Sequence, residues 1–259
     1  MRLLLLALGL ASLSGCTSSD RAPLVTAADS LAWDITQASG GLDAWDNLPV
    51  LRFDWVIRND SAETYRTRHL WNKASDLYRV EWPVGDDSTL VAVFSPSSFD
   101  PEAPSGQIAL NGDSLSGDEK RERLSDAHGR FINDSYWLLA PLKVLDPGVR
   151  RELAPDSGRG VLAMSFEGVG LTPGDRYWIE TDPQTGLMTG WTYVLEGSQD
   201  GSPTHWDWTD PQLIPDTNIL LPIRKVREGR QIVTEVFEAP APDAGTFTDL
   251  TPRLSASTP

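Results

Sequence analysis

The chain has 259 residues, with 22 Lys+Arg against 37 Asp+Glu and a formal net charge of −15 at pH 7. A surface of that sign repels phosphate backbones and anionic headgroups, which excludes nucleic-acid binding. One cysteine excludes an intramolecular disulfide, so the fold rests on its core alone, and the length suits one large domain.

Residues 1–16 read MRLLLLALGLASLSGC: Arg2, an apolar run from Leu3 to Leu13, then small residues. This is the pattern of a secretory signal peptide over 1–15, too short for a stable membrane span. Leu13-Ser14-Gly15-Cys16 resembles the bacterial lipobox, which implies that Cys16 becomes the first mature residue and carries acyl chains. Losing Arg2 with the leader takes the net charge from −15 to −16. Several acyl chains hold far more firmly than one, since each buried CH₂ contributes about 0.8 kcal/mol. The expected partner is therefore a membrane in the bacterial envelope. Thr17, where inner-membrane lipoproteins carry Asp, points to the periplasmic face of the outer membrane. Residues 16–29 form the lipidated Cys and a small, polar tether.

A single domain is expected over 30–250. Leu31, Ile35 and Ala38 share one helical face, with Ser30 as N-cap and Gly40-Gly41 as the stop. LDAWDNLPV continues as a short second helix. The period then changes to two: Leu51, Phe53, Trp55 and Ile57 alternate with Arg52, Asp54, Val56 and Arg58, a strand with one apolar face. ETYRTRHLW, DLYRVEWP and STLVAVFS follow as further strands, and their short links suggest antiparallel hairpins. Residues 116–149 change character, with a Ser116 cap, acidic first turn and dense apolar block, and predict one or two helices stopped near Pro147-Gly148. Strands resume with GVLAMSFEG, DRYWIETD, LMTGWTYVLEG, THWDWTD, ILLPIRKVRE and RQIVTEVFEA. TDPQTGLM and REGRQ supply turns, and 251–259 is expected to be a flexible tail. The pattern is α+β: a large curved antiparallel sheet of about 11 strands, an incomplete β-barrel, closed by helices.

LNGDSLSGD, residues 110–118, contains the Gly-Asp-Ser-Leu string of a family of serine esterases. Such an enzyme needs a parallel doubly wound sheet, an oxyanion hole, and a late Asp-x-x-His, because a serine without a base in reach is inert. His205 follows the nearest acid, Asp200, by five residues, and His69 and His128 stand elsewhere. Asn111-Gly112 is instead a strong two-residue hairpin signal. Ser114 is thus disfavoured as a nucleophile, and no catalytic residue is assigned. No pair of histidines has ligand spacing, so neither a metal nor another cofactor is expected. THWDW could stack a sugar, but alternating Trp on an edge strand more simply covers a core.

Ten tryptophans remain. Aromatic residues on strands usually mean core, but a single sheet has more apolar face than two helical segments can cover. An aromatic-lined cavity is the functional alternative, with Phe53, Trp55, Trp82, Trp191, Trp206 and Trp208 as strand-borne candidates.

SGGLDAWDNLPVLRFDW, HLWNKASDLYRVE, RFINDSYWLLAPLKVLDPGV and GLTPGDRYWIETDPQTGLMTGWTY together resemble a family of bacterial exported proteins of unassigned role. That family is similar to the Lol-type outer-membrane lipoprotein carrier and receptor. The resemblance implies an eleven-stranded half-barrel that shelters acyl chains, with Tyr136, Trp137, Leu138 and Leu139 as lid or cavity wall. The expected protein is a monomer that binds a lipid or the acyl chains of a lipoprotein and is not an enzyme. The alternative is an envelope scaffold with a packed core.

Overall fold

The computed structural model describes residues 24–154, 160–167, 174–196, 201–239 and 241–254. Cys16, the leader and most of the tether lie outside the described residues. The elements are, in chain order, α1 (Ala27–Ala38), α2 (Leu42–Asn47), β1 (Val50–Asn59), β2 (Ala62–Asn72), β3 (Leu77–Val84), β4 (Ser88–Phe94), β5 (Gln107–Leu110) and β6 (Asp113–Ser114). Then come α3 (Gly117–Lys143), β7 (Val149–Leu153), β8 (Val161–Phe166), β9 (Arg176–Thr181), β10 (Met188–Val194), β11 (Thr204–Leu213), β12 (Leu220–Arg227) and β13 (Arg230–Phe237).

Among the described residues, 13 strands join one antiparallel sheet in the order β6-β5-β4-β3-β2-β1-β13-β12-β11-β10-β9-β8-β7. The sheet is open, with β6 and β7 as its edges. Two meanders, β1–β6 and β7–β13, meet where β1 pairs with β13, and α3 connects their outer edges. The expected fold class holds, with more strands than the expected 11. VRREL (β7) is short and charged, so its sequence does not announce a strand. Its register explains the charge: Arg151 turns inward while Arg150 and Glu152 turn out, the alternation of an edge strand.

Turn chemistry sets much of the register. Asn111 and Gly112 both adopt positive φ, 51° and 96°, so Leu110 and Asp113 pair across a two-residue turn. Glu228 and Gly229 do the same between β12 and β13.

The helix starts differ from expectation. Thr26, not Ser30, caps α1, accepting from Asp29 N at 3.1 Å while Asp29 accepts from Thr26 N at 2.9 Å. This reciprocal box has Asp where Glu or Gln is usual. The Thr26 main-chain bond largely holds the Asp29 carboxyl far below the ordinary range, and Arg151 at 2.9 Å adds to the shift. Ser116 stands at the N-cap of α3 but makes no side-chain capping bond. The middle segment is a single helix of 27 residues.

Helix α3 runs across the whole inner face of the sheet. Leu124 and Ala127 pack on Tyr78, Val80 and Trp82, while Leu138, Leu139 and Leu142 pack on Phe53 and Leu221. Ala140 and Val144 pack with α1 on Leu162 and Ile179. His69 ties sheet to helix, its Nε2 3.1 Å from Asp134 Oδ2 and its Nδ1 2.8 Å from the Tyr78 hydroxyl. Burial lowers the His69 pKa, which favours the neutral ring: Tyr78 donates to Nδ1, and Nε2–H donates to Asp134.

The outer face departs from the single-apolar-face expectation. Arg52 and Asp54 are buried and paired with each other, and Arg66 adds a second bond to Asp54 at 2.5 Å. Farther along, the C-terminal segment crosses this face. Phe247, Leu250 and Leu254 pack on Leu70 and Val93. Arg79 donates to the main-chain oxygens of Thr246, Asp249 and Thr251, and Glu81 accepts from Arg253 N and Leu254 N. Residues 251–254, expected in the flexible tail, are thus held against β3.

Candidate functional site

Strand alternation and helix phase bring aromatic side chains together on one side of α3. Trp191 pairs with Trp206 and with Ile179 in register, so β9, β10 and β11 present one continuous aromatic strip inward. Tyr136 and Trp137, adjacent on α3, close over it. Trp137 lies 5.4 Å from Trp206 edge-on and 6.1 Å from Trp208, and Trp191 stacks on Trp208 at 5.5 Å with 8° between the rings.

Between this strip and α3 lies a pocket of about 490 Å³. Tyr136, Trp137, Phe166, Tyr177, Trp191 and Tyr193 form its aromatic wall. Leu195, 45% exposed, lines it as well, as do Lys143 and Asp146, which pair at 2.7 Å. The Tyr136 hydroxyl and Trp191 Nε1 are buried without a hydrogen-bond partner among the described residues. Burial pushes the Tyr136 phenol far above its ordinary pKa, so it stays a neutral donor. What this arrangement can do chemically is enclose an apolar body: its volume falls within the range of about 300–1,000 Å³ usual for small-molecule sites.

The sequence candidates divide around this pocket. Tyr136, Trp137 and Trp191 line it. Trp206 and Trp208 are buried behind Trp137. Leu138 and Leu139 belong to the packed cluster under β1, together with Phe53, which stacks on His69 at 4.4 Å. Trp82 sits in a separate cluster with Tyr78 and Phe94, and Trp55 is partly buried between the cluster of Trp191, Trp206 and Trp208 and the one under β1. Phe166, Tyr177 and Tyr193 were missed. Strand period alone could have supplied Tyr177 and Tyr193, which share the inward phase of Ile179 and Trp191.

Ser114 is exposed on the two-residue edge strand β6. The three histidines are engaged elsewhere: His69 with Asp134, His128 stacked on Phe99 at 4.0 Å, and His205 2.8 Å from Thr192. Ser114→Ala is expected to change stability by less than about 0.5 kcal/mol. Hydrolysis of a p-nitrophenyl ester should be equal for the two proteins, and a rate lost with Ser114 would restore the esterase reading.

No known family profile and no curated protein sequence matches the chain. Among solved structures it is similar to a DUF1329 family protein from Desulfovibrio piger, with 12% identity and a TM-score of 0.44 over 86% of this chain and 98% of that one. It is also similar to MucB, with 12% identity and a TM-score of 0.29 over 85% of this chain and 62% of that one. The MucA/MucB complex of Pseudomonas aeruginosa matches with 13% identity and a TM-score of 0.20 over 85% and 96%. Likenesses this distant carry no function. No helix among the described residues is long and apolar enough to cross a membrane.

Proposed function

We propose that this is a non-enzymatic lipoprotein of the bacterial envelope, anchored through Cys16, that shelters an acyl chain between α3 and the β8–β10 part of its sheet. The pocket of about 490 Å³ walled by Tyr136, Trp137, Phe166, Tyr177, Trp191 and Tyr193 is the observation that carries this reading. Burying a chain there contributes mainly through apolar area removed from water, about 25 cal/mol per Å². Chain length then governs affinity more than any one polar group. The protein acts as a monomer on the periplasmic face of the outer membrane, holding a lipid or the acyl part of a lipoprotein during its passage.

The full chain with Cys16→Ser, purified without detergent and extracted, is expected to release co-purifying lipid detectable by mass spectrometry. A lipid-free preparation that also refuses added fatty acid or fatty alcohol would favour an envelope scaffold with a packed core.

A further inference from the structure

We propose that a row of donors across β13, β1 and β2 receives the carboxylate or phosphate head of an acyl amphiphile whose chain lies in the pocket. The proposal rests on the hydrophobic-ligand reading and names the polar end of that ligand.

Trp55 is the centre of the row. It pairs with Thr234 of β13 on one side and Thr67 of β2 on the other, so the three side chains share the face turned toward α3. Each threonine takes a cation. Lys225 Nζ donates to Thr234 Oγ1 at 2.9 Å and lies 4.6 Å from the centre of the Trp208 ring. Arg130, on α3, reaches Thr67 Oγ1 at 3.5 Å, with its guanidinium 5.5 Å from the Tyr65 ring and 5.1 Å from the Trp82 ring. Trp55 Nε1, the Tyr65 hydroxyl and Arg130 Nε are buried with no hydrogen-bond partner among the described residues. Strands spaced about 4.8 Å apart put Thr234 and Thr67 about 10 Å from each other, within reach of two long cationic side chains closing on one anion.

The charges point the same way. Arg52 and Arg79 are buried in this protein beside Asp54 and Glu81, and the partly buried Arg151 pairs with Asp29. Lys225 is 0% exposed, yet neither it nor Arg130 makes an ion pair among the described residues, although acids outnumber bases 37 to 22. An ammonium removed from water without a counter-ion is costly, and desolvation drives the Lys225 pKa well below the lysine range. An oxyanion beside it would favour the charged form and give the row a charge-assisted acceptor.

The row lies beyond the pocket lining and is reached along α3. Asn133 and Trp137 line the pocket and follow Arg130 by three and seven residues, on one helix face. Trp137 is 6.1 Å from Trp208, whose ring Lys225 contacts. A chain lying against Trp137 therefore has its head within reach of the row.

The test titrates the full chain carrying Cys16→Ser with palmitate, hexadecyl phosphate, hexadecanol and inorganic phosphate. Both charged amphiphiles are expected to bind at least about tenfold tighter than hexadecanol, with inorganic phosphate alone silent. Lys225→Met and Arg130→Gln should each erode that difference and leave hexadecanol binding unchanged. Arg130→Gln, at a half-buried position, serves if Lys225→Met does not fold. Equal affinities for palmitate and hexadecanol, unmoved by either substitution, overturn the head-group row and leave the pocket reading standing. Failure of every chain-bearing probe to bind overturns both. Binding of inorganic phosphate as tightly as hexadecyl phosphate overturns the amphiphile and leaves an anion site.

Discussion

Arg79→Met is expected to lower folding stability by about 3–5 kcal/mol, the cost of breaking a buried ion pair by removing one partner. Arg79 is 0% exposed and holds Glu81 at 2.7 Å, and Glu81 is itself buried. The substitution leaves that carboxylate desolvated with only main-chain donors from Arg253 and Leu254. It also removes the donor to the carbonyls of Thr246, Asp249 and Thr251, so the C-terminal segment loses that part of its polar hold while Phe247, Leu250 and Leu254 keep their apolar one. For a domain of this size the loss corresponds to roughly 6–20 °C in Tm. Calorimetry reads the Tm, and limited proteolysis should cut within 243–254 before the sheet is attacked. The double variant Arg79→Met/Glu81→Leu should recover much of the loss, because an apolar pair of similar volume removes the stranded charge. A single variant within 1 kcal/mol of wild type would mean that water already solvates Glu81.

That clamp also shows where reading along the sequence stops. Arg52, Asp54, Arg79 and Glu81 alternate with apolar residues, and local pattern assigns them to solvent. The burial of Arg79 and Glu81 depends partly on a segment about 170 residues farther along the chain, and no local window contains that information. What is local was legible: the period-two strands, the Asn111-Gly112 turn, and the stop at Gly40-Gly41. The start of α1 was misplaced because Thr26 pairs with Asp29, an acid one methylene shorter than the usual box partner. The aromatic strip was legible by residue type. Which of its members line space and which pack solidly depends on where α3 crosses the sheet, and that separates Trp191 from Trp82. Lys225 carries a readable signal. It keeps the strand phase of Leu221, which packs inward, so strand alternation directs its charge toward the core.

Trp137→Ala should do two separable things, and the separation decides whether the pocket is the site. The first is structural. Trp137 touches Trp191, Trp206, Trp208 and Tyr193, so truncation removes the ring on which the strip converges. Large aromatic truncations cost about 3–5 kcal/mol, and this partly exposed residue belongs near the lower figure. The second is functional. The same indole is part of the pocket wall contributed by α3, and its loss opens the apolar surface to water. Hexadecanol affinity is expected to fall by about tenfold, equivalent to about 1.4 kcal/mol. Hexadecanol is the right probe because it has no charge for Lys225 or Arg130 to recognise. Phe94→Ala provides the control: Phe94 is buried in the cluster under the other half of the sheet, away from the pocket wall. It should lose comparable stability and keep full affinity. Trp137→Phe, which retains an aromatic wall, should recover most of both quantities. If Trp137→Ala and Phe94→Ala lower affinity equally, the loss tracks stability alone and the acyl chain binds elsewhere. If only Trp137→Ala lowers it, the wall of α3 is part of the binding surface.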